Sequence, residues 1–358
     1  MRILFLTPGF PENEQDTTCI PALQDFMAAF ARLHPEAVAG VIAFQYPYTR
    51  GAYRWRGVEV YACGGRGAPK LRRLNTWLQA LRQAHRIHRQ NPITLVHSFW
   101  LSECALVGQW LSRWWGVPHV ATIMGQDVRP TNRYLKRLNL SRMAVACGSP
   151  HSAAHFRKAT GREVTRIIHW GLEPALLLPP TNSPDRDIDL LGVGALTPLK
   201  NYSLFVETVA RLKEDFPRIR AVLIGDGPER ARLEQMIAEH HLGKHLRLTG
   251  HLPRPEVGRY MQRSRILVHP STFEAQAHVF KEALYYGMWV VSYDVGHVPF
   301  PERIYLCREP GDFSRITRNL LSRTPEHRSV LLKSMERTVE EYWQLYPTEL
   351  QPYRRTKE

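Results

Sequence analysis

The feature that most constrains the fold is a rhythm of short apolar runs that alternate with amphipathic helical patterns. Apolar runs of strand length occur at 2–7, 39–44, 95–97, 119–122 and 143–147. Stretches between them, such as 22–32 and 75–89, place apolar residues at i, i+3 and i+4. Because parallel strands must be joined by crossover helices, this order predicts an α/β fold with a doubly wound parallel sheet.

The rhythm is interrupted once and then starts again. Residues 179–185 are rich in proline and small polar residues without apolar periodicity, which predicts a linker. Strands are then predicted at 188–193, 220–224, 246–249, 266–268, 290–293 and 303–307, and helices at 202–213, 229–240, 255–263 and 279–286. We therefore expect two Rossmann-like domains, 1–180 and 181–327, that face each other across a cleft where a ligand binds.

Composition excludes several classes of protein. The chain is 44% hydrophobic and 23% charged, as in globular proteins, and no run approaches the roughly 20 apolar residues that span a bilayer. The apolar start at 1–6 is broken by Pro8 and Gly9, too early for a signal peptide. Five scattered cysteines without a CxxC pair predict neither a disulfide framework nor zinc, so a cytoplasmic location is expected.

A formal charge of +15 needs an explanation. One basic group comprises Lys70, Arg72, Arg73, Arg82, Arg86 and Arg89, interleaved with Trp77, Leu78 and Leu81, and a second comprises Arg133, Lys136, Arg137 and Arg142. The groups are either a solvated face or a contact with the anionic inner surface of the cell membrane. No nucleic-acid partner is expected, because no recognised binding motif accompanies the charge.

The most informative segment is 270–287. It follows a predicted strand, passes through a loop of small residues and enters a helix that ends at Gly287. Backbone N–H groups at such a helix start are suited to a diphosphate. Glu274 lies just before them, where its carboxylate could contact a sugar hydroxyl, and Glu282 could accept hydrogen bonds from a ribose diol. The alternative is that Glu274 caps the helix and Glu282 forms a surface ion pair.

Further motifs in the same order indicate a family. Glu274-x7-Glu282 after Pro270-Ser271, the loop Gly194–Asn201, the turn Gly225-Asp226-Gly227-Pro228 and Leu248-Thr249-Gly250 resemble the group 1, family 4 retaining glycosyltransferases. In the first half, Met124-Gly125-Gln126-Asp127 and His169–Glu173 match more loosely. The resemblance covers roughly residues 95–312 and implies the GT-B fold, in which the last segment, 328–358, forms a helix that crosses back to the N-terminal, acceptor-side domain.

The resemblance implies metal-independent transfer, with retention, from a UDP- or GDP-linked sugar to a glycan, a glycolipid or another hydroxyl acceptor. The nucleotide-sugar is the donor substrate, so no cofactor is expected. Lys200 would neutralise the diphosphate and Glu274 would orient the donor sugar, while Asp127 would recognise a hydroxyl or stabilise charge. Donor-binding positions are Glu282, Gly194, Ala195, Ala275, Gln276, Ala277, His278 and, in the loop near the base, Leu252.

Several positions depart from the family pattern. Ala195 replaces the diphosphate arginine and Met124 replaces the histidine of His-Gly. The usual glycines are Ala275-Gln276-Ala277 after the first glutamate and Gly296-His297 later, and residues 16–18 lack the Gly-Gly of the first loop. These changes keep two alternatives open: a catalytically silent nucleotide-sugar or membrane-surface binding protein, and a nucleotide-sugar epimerase on the same fold.

The histidines are candidates both for metal ligands and for catalytic groups. His151, His155, His240, His241 and His245 have no metal-ligand spacing, so no metal site is predicted. His97, at a predicted strand end, is either structural or directed into the cleft.

Overall fold

The computed structural model describes residues 1–67, 70–129, 131–181, 186–296, 302–323 and 326–348, with only the backbone at 70–72 and 347–348. The chain divides into two compact units, which are described separately. The first unit comprises Met1–Glu173 and Lys333–Glu358, and the second comprises Pro174–Leu332. Residues 182–185 of the predicted linker and the sequence departure at His297 lie outside the described residues.

The first unit is built on an eight-stranded sheet of order β3-β4-β2-β1-β5-β6-β7-β8. Its strands are β1 (Ile3–Gly9), β2 (Val38–Tyr46), β3 (Gly51–Trp55), β4 (Val58–Ala62), β5 (Leu95–Phe99), β6 (His119–Ile123), β7 (Ala144–Cys147) and β8 (Arg166–Ile167). Its helices up to this point are α1 (Pro21–Leu33), α2 (Lys70–Gln90), α3 (Glu103–Trp115) and α4 (Pro150–Thr160). The central strands are buried on both faces, which explains their continuous apolar runs.

One edge of this sheet differs from the all-parallel expectation. Strand β3 pairs with β4 in the antiparallel sense, and β4 pairs with β2 in the parallel sense. Buried and half-buried residues alternate along β4. A search for continuous apolar runs therefore missed this hairpin, because only one face of it is fully covered.

The second unit contains a six-stranded sheet of order β11-β10-β9-β12-β13-β14, in which all described pairs are parallel. The strands are β9 (Ile188–Val193), β10 (Ala221–Ile224), β11 (Leu246–Gly250), β12 (Ser264–His269), β13 (Trp289–Tyr293) and β14 (Ile304–Cys307). The helices are α5 (Tyr202–Leu212), α6 (Arg230–Glu239), α7 (Arg254–Gln262), α8 (His278–Tyr285) and α9 (Pro310–Leu321). The predicted strands and helices of this half lie within two residues of those observed.

The C-terminal helix α10 (Met335–Thr348) packs on α1 in the first unit. Met335, Val339 and Tyr342 are completely buried there, whereas Leu331 precedes the helix and is 43% exposed. Apolar burial of this stripe, at the helical period, holds α10 against the unit.

A buried polar network also joins α10 to the sheet, and it includes His97. His97 is fully buried, with Nδ1 2.9 Å from the Tyr346 hydroxyl and Nε2 2.8 Å from Thr122 Oγ1. The Trp170 indole donates to the Tyr342 hydroxyl at 3.2 Å. Burial lowers the pKa of His97 well below its ordinary value, so the imidazole is neutral. These contacts favour the structural interpretation of His97.

Two kinds of feature are absent from the part of the chain that the structure describes. No helix there is long and apolar enough to cross a bilayer. Nor do three or more His, Cys, Asp or Glu side chains come together there in a way that could hold a metal ion.

Candidate active site

The predicted site residues of the second unit lie at the point of its sheet where the strand order reverses, between β9 and β12. Strand β9 has β10 on one side and β12 on the other, so the loops that follow β9 and β12 diverge at their carboxyl ends. Ligands of open α/β sheets bind at such a switch point. The loop after β9 carries Lys200, and the loop after β12 carries Glu274.

The two loops are joined by backbone and side-chain contacts. The amide of Thr272 donates to the carbonyl of Leu199 at 3.0 Å, and Ser271 Oγ donates to the same oxygen at 3.3 Å. Lys200 Nζ donates to Glu274 Oε1 in an ion pair whose side chains are only 22% and 16% exposed. The structure therefore brings two of the predicted catalytic residues into direct contact.

A third residue, His269, completes the cluster and was not predicted. It is the last residue of β12, is fully buried, and its Nε2 lies 2.7 Å from Glu274 Oε1. Because an ionised carboxylate only accepts, this nitrogen must carry the proton that is donated. Its other nitrogen, Nδ1, and the nearby hydroxyl of Tyr202 are both buried without a hydrogen-bond partner among the described residues. The sequence signal that points to His269 is its place at the end of a strand, directly before Pro270.

The surroundings keep Glu274 ionised. Burial alone would raise its pKa, but the hydrogen bond from His269 and the charge of Lys200 outweigh burial and lower the pKa to about 2. Burial lowers the pKa of the His269 imidazole in turn. The cluster is therefore a carboxylate held by a neutral imidazole and an ammonium group, and Glu274 does not cap α8, whose cap residue is Ala277.

Glu282, the predicted ribose ligand, is also in an ion pair, but a buried one. Its Oε1 accepts from both Nε and Nη2 of Arg254 at 2.8 Å. The side chains of Arg254 and Glu282 are 8% and 12% exposed, so this is not the surface pair considered as the alternative. Arg254 is the first residue of α7 and follows the loop that contains the half-buried Leu252.

The remaining predicted donor positions lie in the same two loops or beside them. The amide of Gly194 donates to the carbonyl of Ile224 at 3.0 Å, which ties the loop after β9 to the end of β10, and Ala195 is exposed. Ala275, Gln276 and His278 are half-buried, and Ala277 is buried. These four residues connect Glu274 to the start of α8 at the carboxyl edge of the sheet.

Gly296 is needed for this loop to take its shape. Its φ is +70°, and a Cβ built there would lie 2.5 Å from the amide nitrogen of Ala277 and 3.0 Å from the Cβ of Glu274. Only a residue without a side chain fits so closely at this backbone angle. The loop after β13 therefore supports the Glu274–Ala277 segment from behind.

Asp127, predicted as a catalytic residue of the first unit, is occupied by backbone groups. Its Oδ2 accepts from the amide of Leu101 at 2.8 Å and its Oδ1 from the amide of Gly125 at 2.7 Å. The residue is buried, and burial raises its pKa despite these hydrogen bonds. The structure thus gives Asp127 a positioning role that its sequence motif did not predict: it holds together the turns after β5 and β6.

The turn after β5 is strained. Trp100 has φ +67°, a left-handed conformation that is rare for a bulky residue. Its amide donates to the carbonyl of Thr122 at 2.9 Å, and the next residue is held by Asp127. The turn lies beside the switch point between β1 and β5, where strain of this kind is typical of functional loops. Met124, on the neighbouring turn, packs partly against the core.

The basic residues of the first unit border a separate surface, the α2–α3 groove, of about 640 Å³. It is lined by Leu78, Leu81, Arg82, His85, Arg86, Arg89, Gln90 and Trp114. Leu78 and Trp114 are 50% and 52% exposed, whereas the Trp77 indole turns inward and donates to Glu103 at 2.7 Å. The second basic group is exposed on the loop after β6, which contacts α3 through Gln109 and Asn139.

Comparisons with known proteins show the family and the fold that this chain resembles. Residues 177–300 match the model of the family described as glycosyl transferases group 1. The phosphatidylinositol N-acetylglucosaminyltransferase gpi3 subunit of Schizosaccharomyces pombe is 35% identical over 100 residues, which is 28% of this chain and 22% of that protein. The match spans 22% to 33% of the length of this and two further curated relatives.

Two solved structures share the architecture over nearly the whole chain. Sucrose-phosphate synthase from Thermosynechococcus elongatus superposes with a TM-score of 0.75 at 17% identity, covering 97% of this chain and 98% of that one. Anabaena Alr3699/HepE in complex with UDP and glucose has a TM-score of 0.69 at 17% identity and covers 95% of each chain. Residues 177–300 belong to the group 1, family 4 glycosyltransferases, and the chain has the GT-B fold.

Proposed function

We propose that this protein is a retaining glycosyltransferase that moves a sugar from a UDP- or GDP-linked donor to a hydroxyl acceptor without a metal ion. The observation that carries the proposal is the Lys200–Glu274–His269 cluster at the switch point of the second sheet. It combines a cation for a diphosphate with an ionised carboxylate for sugar hydroxyls, at the end of the sheet where ligands bind.

In this proposal the donor exchanges partners with the cluster. The diphosphate takes Lys200 from Glu274, and the ammonium group stabilises the charge that develops as the glycosidic bond breaks. Glu274 remains ionised because His269 still donates to it, and its freed oxygen accepts from a hydroxyl of the donor sugar. The buried setting strengthens both interactions, because the local dielectric is low.

Retention follows, in this proposal, from attack on the same face that the leaving group departs from. The acceptor hydroxyl passes its proton to the departing phosphate oxygen, so no separate base on the opposite face is required. This agrees with Glu274, whose low pKa suits an electrostatic partner and not a proton acceptor.

We assign the acceptor, a glycan or a lipid-linked hydroxyl, to the first unit. The strained Trp100 turn beside the switch point between β1 and β5 supports this assignment.

The α2–α3 groove favours a further proposal: the protein binds the anionic cytoplasmic surface of the membrane. Exposed Leu78 and Trp114 would enter the headgroup region while Arg82, Arg86 and Arg89 pair with phosphates.

The first experiment is thermal stabilisation by UDP, GDP and their sugars, because a ligand that binds only the folded state raises the Tm. Release of nucleotide from the stabilising donor is then followed with a panel of glycan and lipid acceptors. Lys200→Ala and Glu274→Gln should each lower turnover by roughly 100-fold or more, while Lys244→Ala, an exposed control, should not.

The same experiment separates the alternatives. Tight donor binding without turnover on any acceptor would support a silent binding protein. Interconversion of two nucleotide-sugars in the absence of acceptor would support an epimerase. Full turnover in both Lys200→Ala and Glu274→Gln would contradict the mechanism.

A further inference from the structure

Arg254 is a buried charged residue near the site, and two of its nitrogens donate to the same oxygen of Glu282. Nε and Nη2 both lie 2.8 Å from Oε1. Two donors from one rigid guanidinium group restrict where this oxygen can lie, and with it the positions open to the rest of the carboxylate. The second oxygen, Oε2, then has a defined direction.

The ion pair is part of a longer contact between α7 and α8. One turn further along each helix, Gly258 of α7 meets Tyr286, the residue that follows α8: a Cβ at Gly258 would lie 2.7 Å from the Tyr286 hydroxyl. Arg254 and Gly258 are thus matched with Glu282 and Tyr286, four residues apart on each side. This matching sets the register of the two helices and with it the height of Glu282 above the sheet.

Arg254 also directly follows the loop 251–253, which precedes α7 and contains Leu252, the expected neighbour of the base. Arg254 therefore contacts Glu282, the proposed ribose ligand, and also adjoins the loop that is expected near the base. It connects two parts of the proposed donor site. A buried charge pair is a poor source of stability in itself, because both ions lose hydration. Its value here is the geometry that it imposes on Glu282.

We propose that Arg254 is a positioning residue for the donor: it holds Glu282 so that Oε2 accepts from the ribose diol. The proposal rests on the proposed function, because it requires a nucleotide in this site.

The test compares UDP and GDP with their 2′-deoxy and 3′-deoxy forms by isothermal titration calorimetry. In the native protein, the preferred nucleotide should lose about tenfold in affinity when a hydroxyl that Glu282 accepts from is removed. In Arg254→Met this ratio should fall below about threefold, and in Arg254→Lys it should be intermediate. Donor KM should rise in both variants, with a smaller change in kcat.

Arg265→Lys is the control, because Arg265 forms a half-buried ion pair with Asp189 at the opposite, amino end of the strands of the same sheet. It should leave the preference for ribose unchanged. If Arg254→Met does not fold, as judged by circular dichroism, Arg254→Lys decides. In a Glu282→Gln background, the change at Arg254 should have no further effect on the ratio.

The outcomes distinguish a failure of the role proposed for Arg254 from a failure of the ribose assignment of Glu282. An undiminished preference for ribose in a folded Arg254→Met or Arg254→Lys protein overturns the role of Arg254 and leaves the donor site intact. If the native protein does not distinguish ribose from deoxyribose, the ribose assignment of Glu282 fails first, and this inference fails with it.

Discussion

Lys200 and Glu274 are 74 residues apart in the chain, yet their side chains form an ion pair across the switch point of the second sheet. In this pair each side chain neutralises the charge of the other. A diphosphate is a better partner for Lys200 than a carboxylate is, since it offers more charge and more acceptor oxygens. The pair therefore helps to keep Glu274 ionised and holds the two side chains together at the carboxyl end of the sheet.

Stability in acid should report on Glu274. Its pKa is lowered from 4.5 to about 2, so its ionised form stabilises the fold fully above pH 4.5, and this contribution is lost as the pH falls towards 2. The shift corresponds to at most about 3 kcal/mol. We expect the difference in free energy of unfolding between the native protein and Glu274→Gln to shrink by this order between pH 5 and pH 2.5.

Urea unfolding at several pH values measures this difference. Glu214→Gln removes one charge from an exposed site and serves as the control. A difference that stays constant over the same interval would show that Glu274 is not held ionised by Lys200 and His269.

Substitution of Gly296 should disturb the donor loop. Gly296→Ala forces a Cβ to within 2.5 Å of the Ala277 amide at a φ of +70°. We expect a loss of about 1–3 kcal/mol in stability and weaker binding of nucleotide diphosphate. Gly243→Ala is the control, since a Cβ there meets nothing within 4 Å. Equal melting temperatures for the two variants would contradict the close packing described above.

Asp127 should matter more for stability than for chemistry. In Asp127→Asn one oxygen becomes an amide group, which cannot accept from Leu101 or Gly125. A buried amide left without an acceptor costs about 1–3 kcal/mol. We expect a lower Tm, with the folded fraction keeping at least a tenth of the native kcat. A loss of 100-fold or more in kcat without a change in Tm would instead support the catalytic role that the sequence motif suggested.

Membrane binding should depend on the basic residues of the α2–α3 groove and not on the net charge of the protein. Arg82→Glu with Arg86→Glu should weaken binding to vesicles of phosphatidylglycerol and phosphatidylcholine by at least tenfold in a sedimentation assay, since each basic residue near the surface contributes about 1 kcal/mol. Lys244→Glu with Arg247→Glu makes the same change of charge on exposed residues of the second unit. An equal loss in both pairs would indicate attraction by net charge and not by the α2–α3 groove.

Much of the second unit could be predicted because local rules act strongly there. Strand β9 was predicted with its observed limits, since a mostly buried parallel strand is a largely apolar run between polar loops. Glu274 and Glu282 were predicted as donor ligands from the pattern of segment 270–287 together with its resemblance to the family. The hairpin β3–β4 was missed because its alternating pattern is weaker, and a distant strand, β2, completes its pairing.

His269 and Arg254 could not be identified as site residues from the chain alone. A histidine at a strand end and an arginine at a helix start are common in both structural and functional settings. The folding of the loop after β12 brings Glu274 back to His269, and the packing of α7 beside α8 brings Arg254 to Glu282.

The sequence by itself determined the class of the protein: two parallel α/β halves, the motif order of the family, and the acidic and basic residues of the donor half. Periodicity and motif spacing are local properties, and a single chain displays them directly. The tertiary structure decided which charges are paired. It paired Lys200 with Glu274 and Arg254 with Glu282, and it occupied Asp127 with backbone amides. The physical reason is that burial makes an unpaired charge costly, so partners are chosen by proximity in space, which strand order and helix packing set.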